Sequence, residues 1–346
     1  MDHAIKSCVT ESFLEPIDAV YTWVDGSDPA FQESYSRCLG CCPAADRRTA
    51  AGGNRFRDND ELRFSLRSLD AYAPWVRRIF IVTNGQVPPW LAAGNPRICI
   101  IPHDRLFSDA AALPTFNSHA IELQLHKIPG LSQRFLYLND DYFFGRRALP
   151  SDFITPAGGT YVYFQQTAVP QDSPELSVHD RACVHTQAAV GRLTGGHRLV
   201  YLPAHVPQLY DITIIGRLQQ LLAEEFRETS RHRFRAGNDL SMRLAYFSYL
   251  LFSEEQKGGG HEARFLEYGK GRYHFIMLAG RLRALWRGLC STLLLRPKFF
   301  CVNDDLIDEP FDSRMIKSFS FFLKLYFPQR SSYEKKLGAT ALDAAL

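Results

Sequence analysis

The stretch FLYLNDDYFFG, residues 135–145, sets two adjacent carboxylates, Asp140 and Asp141, inside an otherwise apolar and aromatic run. A continuous run of that kind reads as a buried strand. The two acids then stand at the rim of a core, at the C-terminal end of the strand. A buried carboxylate is costly unless a cation or hydrogen-bond donors meet it, and acids in such a place are seldom merely structural.

The segments before it repeat the pattern. IDAVYTWV (17–24) reads as a strand closed by the turn signal DGSDP, and DNDELRFSLRSLDAYA (58–73) spaces Leu62, Leu66 and Leu69 for a helix with acids at its N-terminus. RRIFIVTNGQVPPW (77–90) and RICIIPHD (97–104) are apolar runs feeding loops, and SHAIELQLHKIPGL (118–131) predicts a helix stopped at Pro129-Gly130. Strand, helix, strand, strand, helix, strand, with continuous apolar runs, predicts an α/β fold whose mostly parallel sheet is covered on both faces. Ligands bind beyond the carboxyl ends of such strands. Asp25, Asn84, His103, Asp140 and Asp141 gather there. The chain has neither a GxGxxG after its first strand nor a Walker P-loop, so a nucleotide must be held by carboxylate-bound metal and basic side chains.

The second half is more helical. RLVYL (198–202) reads as a strand before His205, IIGRLQQLLAEEFRE (214–228) as one amphipathic helix, and RHRFRAGNDLSMRLAYFSYLLF (231–252) as a basic cluster running into an aromatic helix. KFFCVNDDLID (298–308) again ends an apolar run in acids, Asp304 and Asp305, which read equally as a turn or as part of a site.

Composition bounds the function. With 346 residues, 46% hydrophobic and 22% charged, the chain is globular, and a net charge of +3 argues against a general nucleic-acid partner and for small anions. The N-terminus lacks a signal-like apolar run and no stretch suits a membrane span, so a cytoplasmic chain is expected. Of eight cysteines, Cys38, Cys41 and Cys42 lack a second metal-ligand pair and read as free thiols in a loop.

IDAVYTWVDGSD, RFRDNDELRFSLRSLDAYAPWVRRIFIVTNGQVPPWL, LPTFNSHAIELQLHKIPGLSQRFLYLNDDYFFG, AHVPQLYD and PKFFCVNDD resemble, in order, the signature blocks of the Stealth family. That family includes bacterial capsular-polysaccharide phosphotransferases and the catalytic subunit of the lysosomal-enzyme N-acetylglucosamine-1-phosphotransferase. The resemblance implies a Rossmann-like nucleotide-sugar transferase core over residues 17–150 and a mixed acceptor and catalytic half over 151–305. An N-terminal extension (1–16) and a helical tail (306–346) flank them. It implies transfer of a sugar 1-phosphate, such as an N-acetylhexosamine 1-phosphate, from a nucleotide diphosphate sugar such as UDP-GlcNAc to a hydroxyl of a glycan acceptor. The product is a phosphodiester in capsular or cell-surface polysaccharide, and the cofactor is Mg²⁺ or Mn²⁺. The inserted modules of the lysosomal-targeting enzyme are missing, which favours a glycan over a protein acceptor.

The matched positions are Glu122, Asp141, His205 and Arg235 as catalytic residues and Asp18 as a further active-site position. Asn117, His119 and Arg233 lie beside them as candidate substrate contacts, and Asp140 with Asp141 as metal ligands. Arg235 suits a phosphoryl clamp, with Arg231 and Arg233 close by, and His205 a general base, with Asp141 as the alternative. A metal-dependent glycosyltransferase, which breaks the sugar carbon–oxygen bond, is the competing reading. A non-catalytic homologue would have little reason to keep all four chemistries. Finally, GRLRALWRGLCSTLLLRPKFF (280–300) sets arginines among Leu282, Leu285, Trp286, Leu289 and Leu293 to Leu295, a pattern for a helix lying on the inner face of the plasma membrane, although such a helix is more often packed on its own domain with arginine stems covering the core edge.

Overall fold

The computed structural model describes residues 15–267, 272–279, 281–306 and 313–336. Its strands are β1 (Ile17–Thr22), β2 (Ile79–Thr83), β3 (Ile98–Pro102), β4 (Arg134–Asn139), β5 (Tyr142–Phe144), β6 (Tyr161–Ala168), β7 (Tyr201–Pro203), β8 (Gln208–Asp211), β9 (Glu262–Phe265), β10 (Tyr273–Leu278) and β11 (Phe299–Asp304). Its helices are α1 (Pro29–Cys38), α2 (Arg47–Ala50), α3 (Glu61–Tyr72), α4 (Ser118–Glu122), α5 (Val178–Gly191), α6 (Ile212–Leu221), α7 (Ala223–Arg231), α8 (Met242–Phe252), α9 (Leu282–Leu295) and α10 (Arg314–Tyr326).

The central sheet has the order β3-β2-β1-β4-β8, parallel except for β8, which closes the β4 edge antiparallel. The expected mostly parallel α/β core is therefore present. Its strands read as continuous apolar runs because both faces are buried. Phe135 and Tyr137 of β4 face one core, shared with Leu218, Phe226 and the aromatic face of α8, while Leu136 and Leu138 face the other, against Leu62, Leu66 and Leu69 of α3.

FLYLNDDYFFG turns out to be two strands. β4 ends at Asn139, Asp140 and Asp141 make the turn, and β5 joins a second sheet of order β10-β11-β5, where Phe144 pairs with Phe299. A third sheet, β7-β6-β9, lies in the second half.

Two expectations change. The helix predicted over 118–131 ends at Glu122 and gives way to a short 3₁₀ turn at Leu125–Lys127. Leu123, Leu125 and Ile128 all enter one core cluster, and at about 100° per residue a continuous helix would send Leu123 and Leu125 to opposite sides. The helix expected over 214–228 is broken at Leu222 (φ −119°, ψ 40°), and α7 restarts with Glu224 and Glu225 in its first turn. The segment expected as a helical tail is packed where it is described. α10 builds a core with α9 and β11, and Glu334 accepts hydrogen bonds from Arg63 Nε (2.8 Å), Arg67 Nε (2.7 Å) and Arg67 Nη2 (3.0 Å) on α3.

Candidate active site

Beyond the C-terminal ends of β1, β2 and β4 lie two adjoining cavities of about 140 and 160 Å³ that share Arg55, Asn139 and Arg235 in their walls. The first is also lined by His119, Glu122, Tyr142, His179, His205 and Arg243. The second is more apolar, with Trp23, Phe31, Phe56, Val82 and Phe116 beside Asn84, His103 and Asp140.

One wall is cationic. Arg235 donates from Nη2 to Ser118 Oγ (2.7 Å), and burial holds its pKa below the usual arginine range, with Glu122 and Asp239 opposing that shift. Arg55 is pushed down to about 9, chiefly by Arg235 beside it and then by burial. Two guanidinium groups forced together in a half-dry pocket are costly unless an anion joins them. Arg243, on α8, donates to Tyr142 Oη (3.2 Å) and to His205 Nε2 (3.4 Å). A guanidinium only donates. Nε2 of His205 therefore accepts, which leaves the ring proton on Nδ1, turned toward Tyr142 Oη at 3.4 Å. Burial first, then Arg243, His179 and Arg235, hold His205 well below its usual 6.5, so the ring is neutral at physiological pH.

A cluster of acids lies beside these cavities, with Asp140 in the wall of the second. Burial, then Asp141 and Asp58, raise Asp140 well above the carboxylate range. Asp141 is raised to about 6 by burial, against the Cys301 Sγ hydrogen bond to its Oδ2 (3.2 Å) and the nearby Arg243. Its Oδ1 is shut off from solvent and has no hydrogen-bond partner among the described residues. Asp58 rises to about 7 through burial and Asp60, and Glu61 rises through burial, Asp140 and Asp58. These last two acids were missed, because RDNDEL reads as the acidic start of a helix. The signal was the density of carboxylates, more than a helix dipole requires. Asp60 at φ 67° turns the chain there into a left-handed conformation.

Those carboxyls fit a divalent cation. Among the described residues no group of three or more His, Cys, Asp or Glu side chains forms a ready metal cage. An orphaned Asp141 oxygen beside mutually repelling acids instead suits Mg²⁺, which takes one or two carboxylates and completes its shell with water and phosphate oxygens.

Asp239 is the positioning centre. Wholly buried, it accepts from Asn117 Nδ2 (2.9 Å), His119 Nδ1 (3.2 Å), His232 Nδ1 (2.7 Å) and the amide of Ala236 (2.9 Å). Burial would raise its pKa, but the bonds from His119 and His232 win and lower it.

Of the expected site residues, Glu122, His119, His205 and Arg235 line the first cavity, Asp140 the second, and Asp141 the turn beside them. Three others are placed differently. Asp18 lies at the opposite end of β1, four residues before Thr22 and so on the order of 13 Å from the site. Its carboxylate is saturated by Arg77 Nε and Nη2 (2.9 and 2.7 Å), the amide of Arg78 (3.0 Å) and the amide and hydroxyl of Ser132 (2.7 and 2.8 Å). Asn117 is fully buried, caps α4 and serves Asp239. Arg233 spends its guanidinium on the carbonyls of Pro114 (2.9 Å) and Ala111 (3.1 Å). Asp304 is held by Arg57 Nη1 (2.8 Å to Oδ2), and Cys38, Cys41 and Cys42 are free thiols.

Acids and arginines gather beyond the strand ends of a mostly parallel sheet. The chain belongs to the Stealth family: models of its conserved regions 1, 2, 3 and 4 match residues 15–40, 55–162, 204–252 and 292–341. The second region carries Glu122 and the acid pair, and the third carries His205, Arg235, Asp239 and Arg243. The fourth extends past the domain boundary expected at residue 305.

An exopolysaccharide phosphotransferase of Streptomyces coelicolor is 37% identical over 327 residues, covering 92% of this chain and 52% of that protein. CpsY of Mycobacterium tuberculosis, also named an exopolysaccharide phosphotransferase, is 34% identical over 322 residues, with 92% and 58% covered. The chain thus spans little more than half the length of these relatives. Among solved structures, the galactosyltransferase LgtC aligns at a TM-score of 0.42 and 11% identity, covering 94% of this chain and 99% of that one, a likeness too distant to carry an argument.

Proposed function

We propose that this chain transfers a sugar 1-phosphate from a nucleotide diphosphate sugar to a hydroxyl of a glycan acceptor, forming phosphodiester links in an exopolysaccharide on the cytoplasmic side of the membrane. The observation that carries the reading is the gathering of Arg55, Arg235 and Arg243 in the wall of one small cavity, with Asp140 lining the cavity that adjoins it and Asp141 on the same turn. Diphosphate oxygens would satisfy the arginines, and Asp140 and Asp141 would hold Mg²⁺ or Mn²⁺, whose charge would stabilise the negative charge developing on the phosphates. The apolar cavity next door, with Trp23, Phe56 and Phe116, has the character of a slot for the base.

In the step itself the acceptor oxygen attacks the sugar-linked phosphorus, its proton passes to a base, and the phosphoanhydride bond breaks. Nucleoside monophosphate leaves with the bonding pair. Arg235 and Arg243 are placed to hold the phosphoryl oxygens, where a planar fork of donors is worth more than a single ammonium. His205 is neutral and keeps Nε2 unprotonated, as a base must, once a phosphoryl oxygen draws Arg243 away.

The test is to incubate the purified chain with nucleotide sugars, divalent metal and a glycan acceptor and to separate the nucleotides. Nucleoside monophosphate with a ³¹P phosphodiester signal supports the reading. Nucleoside diphosphate with a glycoside would replace it with glycosyl transfer. His205→Ala and Arg235→Ala should each lower turnover at least ~10²-fold without unfolding the protein.

A further inference from the structure

The helix expected to lie on a membrane is only partly free. α9 turns Leu285, Leu289 and Thr292 into its own core, and Leu282 and Leu293 pack partly against that core. What remains outside is a pattern shared with α10. Trp286 is 37% exposed, Leu294 83%, Leu295 47%, Phe321 58% and Leu325 54%. Trp286 and Phe321 approach at 6.5 Å between ring centroids, and Arg296, just after α9, lies 5.3 Å over Tyr326 at the end of α10. Two helices touching at both these levels run side by side. Trp286 lies on the flank of α9 that meets Phe321, Leu294 turns outward about 80° round the helix beside Arg283 and Arg287, and Leu295 lies on the far flank.

Cations line the same two helices. Arg281, Arg283, Arg287 and Arg296 on or beside α9, with Arg314, Lys317 and Lys324 on α10, are exposed, and neither helix contains an acid. Beside these helices a groove of about 660 Å³ opens between α9 and the edge strand β10, floored by Phe275 and Ile276 and flanked by Arg281, Arg287 and the 46% exposed Met277. A face for another protein would be expected to mix both charges among its apolar residues, whereas two helices whose described residues carry exposed apolar side chains and cations without an acid match a bilayer with anionic headgroups.

We propose that the α9–α10 face is a peripheral docking surface for anionic phospholipid, with Trp286, Leu294, Leu295, Phe321 and Leu325 entering the headgroup boundary and the arginines and lysines engaging lipid phosphates. β11 begins four residues after the end of α9 and carries Asn303 in the wall of the candidate site four residues on from Phe299, on the order of 13 Å along the strand. A docked protein would keep that site within reach of acceptors held at the membrane. The assignment does not depend on which transfer reaction the site performs.

Flotation of the full chain with vesicles of phosphatidylcholine alone, and of phosphatidylcholine mixed with phosphatidylglycerol, tests it. Binding is expected to the mixed vesicles only and to weaken with salt. Arg283→Glu with Arg287→Glu should lower the partition coefficient at least about tenfold, and Trp286→Ser with Phe321→Ser should do likewise, each with an unchanged circular dichroism spectrum and melting temperature. Absence of flotation at low salt overturns the proposal, as does equal binding of wild type and both variants. A dimer of the wild-type chain that Trp286→Ser with Phe321→Ser dissociates, without vesicle binding, would assign the face to a second copy instead.

Discussion

Removing the carboxylate of Asp239 tests how the site is held in shape. Oδ2 accepts from Asn117, His119 and Ala236, and Oδ1 from His232, all without solvent. Asp239→Ala leaves four donors facing a void. Removing one member of a buried charged network costs about 3–5 kcal/mol, and that is the expected loss. Asp239→Asn can keep the three bonds at one oxygen and offer its amide to His232, whose neutral ring can accept. Its loss is mainly that of one charge-assisted bond, about 1.5–3 kcal/mol. Urea unfolding measures both as a shift in midpoint at unchanged slope. The sign of the pH effect is fixed as well. The bond to Asp239 raises the pKa of His232 above 6.5, so this share of stability is fully present below that value and is lost as pH rises through the raised one. The gap between wild type and Asp239→Asn should narrow on going from about pH 6 to about pH 8. A loss below about 1 kcal/mol in the alanine variant, or a gap that widens with pH, would refute the argument.

Asp58 at about 7 and Asp141 at about 6, raised chiefly by burial, stabilise the fold when protonated, a contribution lost as pH rises through those values, so Mg²⁺ or Mn²⁺ should raise the melting temperature more at pH 8 than at pH 5, read by differential scanning fluorimetry. Arg243→Met should move His205 back up toward its usual range and shift the acid limb of the rate profile to higher pH, while Arg243→Lys restores only part of the rate. Gly145→Ala would drive a Cβ into the carbonyl of Pro297 and the Tyr326 hydroxyl and should cost about 1–3 kcal/mol in urea unfolding. Glu334 is buried yet pulled to about 2 by Arg67, Ser331 and Arg63, so Glu334→Gln should cost about 2–3 kcal/mol near neutral pH and remove the stability that wild type loses as pH falls from 4.5 toward about 2.

The strands of the central sheet were legible because burial on both faces leaves no polar residue to blur an apolar run such as IFIVT. The acid pair was legible for the same reason, since carboxylates stand out against phenylalanine and tyrosine. Asp18 shows where that logic fails. It too is an acid in an apolar strand, but Arg77 and Ser132, 59 and 114 residues away, consume it, and no local pattern announces them. Arg243 escaped notice for the converse reason. On an aromatic helix it reads as one surface cation, and its partners Tyr142 and His205 lie 101 and 38 residues off. The break at Leu222 hides in a sequence whose propensities all favour helix, because the angle between α6 and α7 is set by what they pack against.

The passage of the chain from β4 into β5 sets an order of assembly. β1 to β4 can pair as soon as residue 139 is made, and Ser65 and Ser68 of α3 bond to Tyr142 and Phe144, but the strand partner of β5 is β11, where Asp141 meets Cys301 and the amide of Val302. A nascent chain that has reached Asp239 thus possesses its parallel sheet and most of its arginines while the turn bearing both acids still lacks a wall. During synthesis the acid pair would be fixed only after residue 304 has left the ribosome, so a truncation before β11 should yield a collapsed N-terminal half with no working centre.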